Sequence, residues 1–190
     1  MNTLQPPPVA ETLPGSLPRP EVAWQEALSD GTQVTIRALQ PADKELERRF
    51  IRGLSPQSRR FRFFETMAAP SESLLAQLTA LDPLRDTAYL ALVGTGAEAH
   101  EIGVARFSAE AGEPECEFAV TVADEWQRKG LGTALMAHLI SAARARGIHA
   151  MHSSDSSDND SMRQFAGHLH FQKSPDPDDP TLTLYSIKLG

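Results

Sequence analysis

Val122-Ala-Asp-Glu-Trp-Gln-Arg-Lys-Gly-Leu-Gly-Thr133 is the stretch on which the fold turns. Before it stands Glu115-Cys-Glu-Phe-Ala-Val-Thr-Val122, where polar and apolar residues alternate as in a half-buried strand. After it comes a helical pattern over residues 129–146, with Leu131, Leu135, His138, Leu139 and Ala142 on one stripe and Gly147 as the stop. Gly130 and Gly132 let the backbone turn tightly and present bare N–H groups. The helix that starts there adds the positive end of its dipole, and Arg128 and Lys129 add charge, so the turn suits an anion such as pyrophosphate. Other phosphate signatures are absent. There is no G-x-x-x-x-G-K-[ST], and Leu135 stands where a dinucleotide fingerprint needs its third glycine.

Outward from that turn the text alternates between strands and helices. Gln33 to Arg37, Ala88 to Val93 and Ile102 to Phe107 read as strands. Pro41-Ala-Asp43 opens a helical stretch up to Leu54, and Ser55-Pro56 restarts one at a cap followed by proline. Ile148 to Met151 reads as a short strand, and Asp158 or Asn159 caps a helix carrying Met162, Phe165, Ala166 and Leu169. A proline loop from Ser174 to Pro180 leads to a closing strand from Leu182 to Leu189. The early strands lie close enough to be antiparallel, whereas the strand–helix–strand over 115–151 needs a parallel crossover. The expectation is one mixed-sheet α+β or α/β domain over residues 23–190.

Composition narrows the class. The 190 residues are 41% hydrophobic and 23% charged, which excludes wholesale disorder and allows a sizeable core. No apolar run approaches the roughly 20 residues needed to span a bilayer. The start lacks the basic and apolar regions of a signal peptide, so the expected location is cytoplasmic with no membrane partner. The formal charge, 18 − 25 = −7, argues against a nucleic-acid partner. One cysteine, Cys116, leaves no internal disulfide and no cysteine-based zinc site. Residues 1–22 carry Pro6, Pro7, Pro8, Pro14, Pro18 and Pro20 without hydrophobic periodicity and read as an extended, poorly ordered arm, a solvated tail rather than a docking arm.

Gln127-Arg-Lys-Gly-Leu-Gly132, after a strand ending at Val122, resembles the pyrophosphate-binding motif (Q/R-x-x-G-x-G/A) of the GNAT superfamily of acyl-CoA-dependent N-acyltransferases. Asn159 with Met162, and the ending Leu169-His170-Phe171, resemble that family's next block, Asn-x-x-Ala followed by Gly-Phe. Leu54-Ser-Pro-Gln-Ser-Arg-Arg-Phe-Arg-Phe-Phe64 and Glu117-Phe-Ala-Val narrow the likeness to the acetyltransferase domain of bacterial protein-lysine acetyltransferases. The likeness covers about residues 32–189. It implies a mixed, mostly antiparallel sheet, flanked by helices and splayed between its fourth and fifth strands around the pantetheine arm of acetyl-CoA. On the same resemblance the CoA contacts fall on Phe118, Val120, Val122, Gln127, Arg128, Lys129, Gly130, Leu131, Gly132, Thr133 and Asn159.

The chemistry has a proton problem. A lysine amine has a pKa of about 10.4, so at neutral pH it arrives protonated and needs a base. Glu115 and Glu117 share one strand face, and Cys116, Phe118, Val120 and Val122 share the other. Spacing alone reads the two glutamates as a solvated face; the resemblance assigns the base to Glu117. A backbone N–H of Phe118, Ala119 or Val120 would stabilise the oxyanion. The tyrosine that protonates the leaving thiolate in many relatives is replaced by Ala166, which leaves water, the acceptor's own proton, or His168 or His170. The implied reaction is acetyl transfer from acetyl-CoA to a primary amine, foremost a protein lysine. The alternatives are a small-molecule amine, or a non-catalytic CoA-binding regulatory module, with the chain a monomer or homodimer.

Six arginines between Arg48 and Arg62 are interleaved with Phe50, Phe61, Phe63 and Phe64 and read as solvated basic helix faces with aromatic undersides; on the resemblance this region walls the acceptor cleft. His149 and His152 end a strand and His168 and His170 end a helix, so sequence does not bring them together, and no metal is expected. Cys116, Trp24 and Trp126 read as packing residues. Deleting residues 1–22 should leave the melting temperature and acetyl-CoA affinity nearly unchanged. A large loss of stability in a thermal melt of the shortened chain would show that the arm is docked.

Overall fold

The computed structural model describes residues 23–64, 67–110 and 112–190; the expected proline-rich arm lies outside them. The chain runs β1 (Ala23–Ala27), β2 (Gln33–Ala38), α1 (Lys44–Gly53), α2 (Pro56–Phe63), α3 (Glu72–Thr79), β3 (Asp86–Val93), β4 (His100–Ser108), β5 (Glu115–Val122), α4 (Leu131–Ala145), β6 (Ala150–Ser156), α5 (Asp160–His168), β7 (Gln172–Pro175) and β8 (Leu182–Lys188). The eight strands form one sheet in the order β1-β2-β3-β4-β5-β6-β8-β7. All neighbours are antiparallel except β5 and β6, whose connection through α4 is the parallel crossover that the sequence requires.

Each face of the sheet buries its own core. On one face α4 and α5 cover Ile36, Ala105, Phe107, Cys116 and Phe118 with Leu131, Leu135, Leu139 and Met162. On the other, Phe50 and Ile51 of α1 and Leu75 and Leu78 of α3 pack on Ala88, Leu90 and Val104. Gly103 lets α4 seat closely: a Cβ there would lie 3.2 Å from Leu135 Cδ1 and 3.3 Å from Leu131 Cδ2. His138, on the α4 stripe, stacks on Trp24 with centroids 4.1 Å apart and meets Glu26 through Nε2 at 2.8 Å. That contact ties β1 to the helix.

The structure departs from the sequence reading in a few places. It adds β1 as a hairpin partner of β2, so the fourth and fifth strands of the sequence reading are β5 and β6. It adds α3, capped by Ser71, whose eight residues are too short for a clear stripe. Gln172–Pro175 is a strand where a loop starting at Ser174 is expected; Pro175 is tolerated because β7 is the sheet edge. β6 runs on to Ser156 rather than stopping at Met151, since β8 pairs with its polar half from Ser153 to Ser156.

Charged residues are buried under α1. Arg37 holds Asp43 through two bonds of 2.7 Å, and Arg106 donates to Glu47 at 2.9 Å and to the Leu78 carbonyl at 3.0 Å. Glu47 is only 1% exposed, and burial raises its carboxyl against the pull of Arg106. Arg106→Met should cost about 3–5 kcal/mol, because it strands a buried charge. The double change with Glu47→Leu should recover most of that in denaturant melts. A loss below about 1 kcal/mol in the single variant would show that the pair does not hold α1.

Candidate active site

The sheet opens between β5 and β6. Their ladder covers only Glu115↔Ala150, Cys116↔Met151 and Glu117↔His152. Beyond it, Phe118–Val122 keep β4 on one side, and β6 continues with β8 alone. Among the described residues no strand takes the inner edge of Phe118–Val122, so this fork leaves backbone donors and acceptors for a ligand in extended form.

The two faces of the fork differ. Cys116 and Phe118 are buried among the core residues of α4 and α5, with Phe118 against Phe171 at 5.3 Å between centroids, and Val120 and Val122 pack on the same core. Glu117 is exposed at the last rung of the ladder, as strand alternation from its buried neighbours requires. Cys116 packs in the core, and burial pushes its thiol up to about 12, away from the reactive thiolate.

Past Val122 the chain makes a 3-10 turn at Asp124–Trp126 and enters α4 through two left-handed residues, Arg128 at φ 59° and Gly130 at φ 88°. No side chain caps α4. Among the described residues, the N–H groups of Gly130, Leu131, Gly132 and Thr133 find no acceptor. They form a socket for an anion at the positive end of the helix. Leu131 is buried, so it offers only its backbone, while Arg128 is exposed at the turn. Lys129 is held aside, its Nζ 4.6 Å from the Trp126 ring centroid and 3.1 Å from Asp30. Gly132 lies against α5, where a Cβ would meet Phe165 Cε2 at 3.1 Å.

Gln127 and Asn159 have their side-chain amides committed within the protein. Gln127 Nε2 donates to the Val122 carbonyl at 3.1 Å and braces the turn. Asn159 accepts from the Met162 N–H at 3.1 Å, as an N-cap, and donates to Asp155 at 3.1 Å. Ala166 is buried in the core, so the described structure has no acid at that place. His152 stands beside Glu117 in register, while His149, His168 and His170 lie elsewhere. Among the described residues no group of three or more His, Cys, Asp or Glu is placed to hold a metal ion.

The structure adds residues that the sequence reading passes over. Asp124 accepts from the Ser55 N–H at 2.9 Å, Ser55 Oγ at 2.8 Å and Ser58 Oγ at 2.7 Å, and Arg60 pairs with Asp158 at 2.8 Å. These bonds tie α2 both to the end of β5 and to the loop after β6, so the helix bridges the fork. Asp155 lies on β6; burial raises its carboxyl against the bonds from Asn159 and the Ser156 N–H. The signal was the length of Ser153-Ser-Asp-Ser-Ser-Asp158, a polar run too long for one turn.

Comparison with known proteins agrees with this architecture. Residues 57–171 match the acetyltransferase (GNAT) family model. An acetyltransferase of Pseudomonas aeruginosa is 43% identical over 166 residues, covering 87% of this chain and 89% of that protein. Among solved structures, the GNAT domain of S. lividans PAT superposes with a TM-score of 0.81 at 22% identity, covering 87% of this chain and 96% of that one. A cAMP-binding acyltransferase from Mycobacterium smegmatis gives a TM-score of 0.62 at 22% identity, covering 90% of this chain and 48% of that one. The last two show the fold; the family match and the Pseudomonas relative decide the kinship. The chain belongs to the GNAT family and is an acyl-CoA-dependent N-acetyltransferase.

Proposed function

We propose that the protein transfers the acetyl group of acetyl-CoA directly to a primary amine, foremost a lysine side chain of a protein, with Glu117 as the general base. The observation that carries this reading is the end of the β5–β6 ladder at Glu117, beside an open strand edge that leads to the anion socket of α4. Pantetheine would pair with the edge from Phe118 through Val120 to Val122. The amides of residues 128–133 would hold the pyrophosphate, with Arg128 adding charge and Gln127 and Asn159 supporting through the backbone they brace.

Glu117 lies on the face opposite the α4 and α5 core, so acceptor and CoA approach the thioester from opposite faces of the sheet. Its carboxylate takes a proton from the ammonium. The freed amine attacks the thioester carbon, an N–H of the open edge steadies the oxyanion, and the C–S bond breaks. The thiolate leaves without the tyrosine that Ala166 replaces, and takes a proton from water or from the attacking nitrogen. The likeness to protein-lysine acetyltransferases over Leu54–Phe64 supports a lysine acceptor.

The anion socket is tested by Gly130→Glu. The left-handed φ of 88° costs a side chain about 1–2 kcal/mol, and the added carboxylate repels pyrophosphate. Gly132→Glu meets Phe165 as well. Calorimetry should show CoA affinity lost in folded variants, and unchanged affinity would remove the assignment. Glu117→Gln should lower turnover by about 10²- to 10⁴-fold with CoA affinity near wild type, the residual rate climbing as pH approaches the acceptor's own pKa. Glu115→Gln should cost far less. Near-normal turnover of Glu117→Gln at neutral pH, read as thiol release with an amine panel, would overturn the base. Binding of CoA without acceptor-dependent release in wild type would favour a regulatory module instead.

A further inference from the structure

Behind the turn that joins β5 to α4 lies a cavity of about 170 Å³. α1 walls it with Leu46 and Phe50, β4 with Glu101 and Ile102, and the turn with Glu125 and Trp126. It is remote from the fork: Ala123, which also lines it, is six residues past Glu117, roughly 20 Å along an extended chain. A bulge places Glu101 there. Gly103 pairs with Ala91 and Glu101 with Leu92, so Ile102 is the extra residue, and Glu101 shares the α1 face with Leu92 and Val104. Glu101 is only 6% exposed, and among the described residues neither of its carboxyl oxygens finds a hydrogen-bond partner. The indole N–H of Trp126, on the same cavity, lacks one too. A buried carboxyl with both oxygens unsatisfied is costly, and the partner it needs is a donor.

The other charges around Glu101 are matched. Glu47 on α1 is held by Arg106 on β4, and Asp43, just before α1, by Arg37 on β2. All four act on the Glu101 carboxyl, which burial and Glu47 push well above the ordinary carboxylate range. At the exposed rim Arg49 and Glu125 carry opposite charges, and Arg49 Nε is turned to the Glu45 carbonyl of its own helix at 3.3 Å. His100, also at the rim, meets the Glu98 carbonyl through Nδ1 at 3.1 Å. An ionised Glu101 is therefore one negative charge without a counter-charge. An anion would meet Glu101 and Glu125 together. A metal ion wants several oxygen ligands, and among the described residues no group of three or more His, Cys, Asp or Glu is placed to hold one.

We propose that this cavity binds a small organic monocation, Glu101 taking its guanidinium or ammonium head and the apolar walls its short carbon stem. A planar guanidinium can bond both free oxygens at once. The volume sets the size, since it is below the roughly 300–1,000 Å³ of drug-sized sites and suits a stem of a few carbons. The oxygens are shielded from solvent, so the Glu101 side chain rotates toward the ligand as it binds. Before the cation arrives, Glu101 is the neutral acid at neutral pH. On binding, its O–H bond breaks, the proton passes to water, and the carboxylate accepts the N–H groups of the head. Raising the pH toward the carboxyl's own pKa therefore strengthens binding. Glu125 and Trp126 belong to the turn that leads into the anion socket, so the occupant backs that turn.

The probe is n-propylguanidinium, which stays protonated at every working pH and so is not an acetyl acceptor. The full chain, without CoA, is titrated by calorimetry and by ¹⁵N NMR of the indole N–H groups of Trp24 and Trp126, assigned by Trp126→Phe. The expected Kd is on the order of 1 mM, tightening as pH rises, and the Trp126 cross-peak moves while that of Trp24 stays. Glu101→Gln keeps the side chain's size and should weaken binding by more than about tenfold, with Glu101→Met as the second variant should glutamine not fold. n-Butanol, a similar stem without the charge, should not bind, and Glu117→Gln should bind the probe as wild type does. Equal affinity in the Glu101 variants, equal affinity for n-butanol, or movement of Trp24 in place of Trp126 overturns the proposal. So does loss of binding in Glu117→Gln, which would put the probe in the fork. Binding seen only in Arg49→Gln also overturns it, because Arg49 would then be the counter-charge that Glu101 uses.

Discussion

The hydrogen-bond ladder between β5 and β6 stops at Glu117 and His152, and the rest of the molecule is arranged around that stop. Parallel strands normally pair along their length, because an unpaired edge leaves backbone polar groups unsatisfied. Here the edge is kept open by anchoring each strand elsewhere. β5 is held along Glu117–Val122 by β4, and β6 is held along its whole length by β8. Neither strand needs the other beyond the fork. The opening is therefore a property of the topology, available to a ligand without local unfolding.

Around the opening the chain separates two kinds of chemistry onto two faces. On the α4 side a helix start without a side-chain cap offers N–H groups, and Gly103 and Gly132 let α4 lie close to the sheet and to α5. On the α1 and α2 side, Glu117, Arg62, Asp155 and the buried Arg106–Glu47 pair set the electrostatics. α2 spans this side with bonds to Asp124 and Asp158, so the ends of both diverging strands are tied to one helix. A thioester threaded through the fork would be held by backbone on one side and meet a base on the other.

Much of this was legible in the sequence, for identifiable reasons. β5 was read with its observed ends, because Glu115–Val122 alternates between one packed face and one open face. The tight turn into α4 was legible because only glycine holds φ near 88° at little cost. Asn159 was legible as a cap, and its capping bond occupies the side-chain oxygen that a ligand contact would need. The polar half of β6 was missed because Ser and Asp are turn formers by local propensity; pairing with β8 overrides that, and the polar side chains suit a strand that lines a fork. The anchoring roles of Arg59 and Arg60 were hidden among three arginines on one short helix. Spacing cannot say which of three arginines finds partners, and only the fold shows that Arg59 and Arg60 do.

The central claim is that CoA lies in this fork, along the open edge of β5 and over the start of α4. Amide hydrogen exchange with and without CoA tests it most directly. The account predicts slowed exchange confined to Phe118–Val122 and residues 128–133, with the β1–β2 hairpin unaffected. Unchanged exchange over those two segments, with protection appearing elsewhere in the chain, would contradict it.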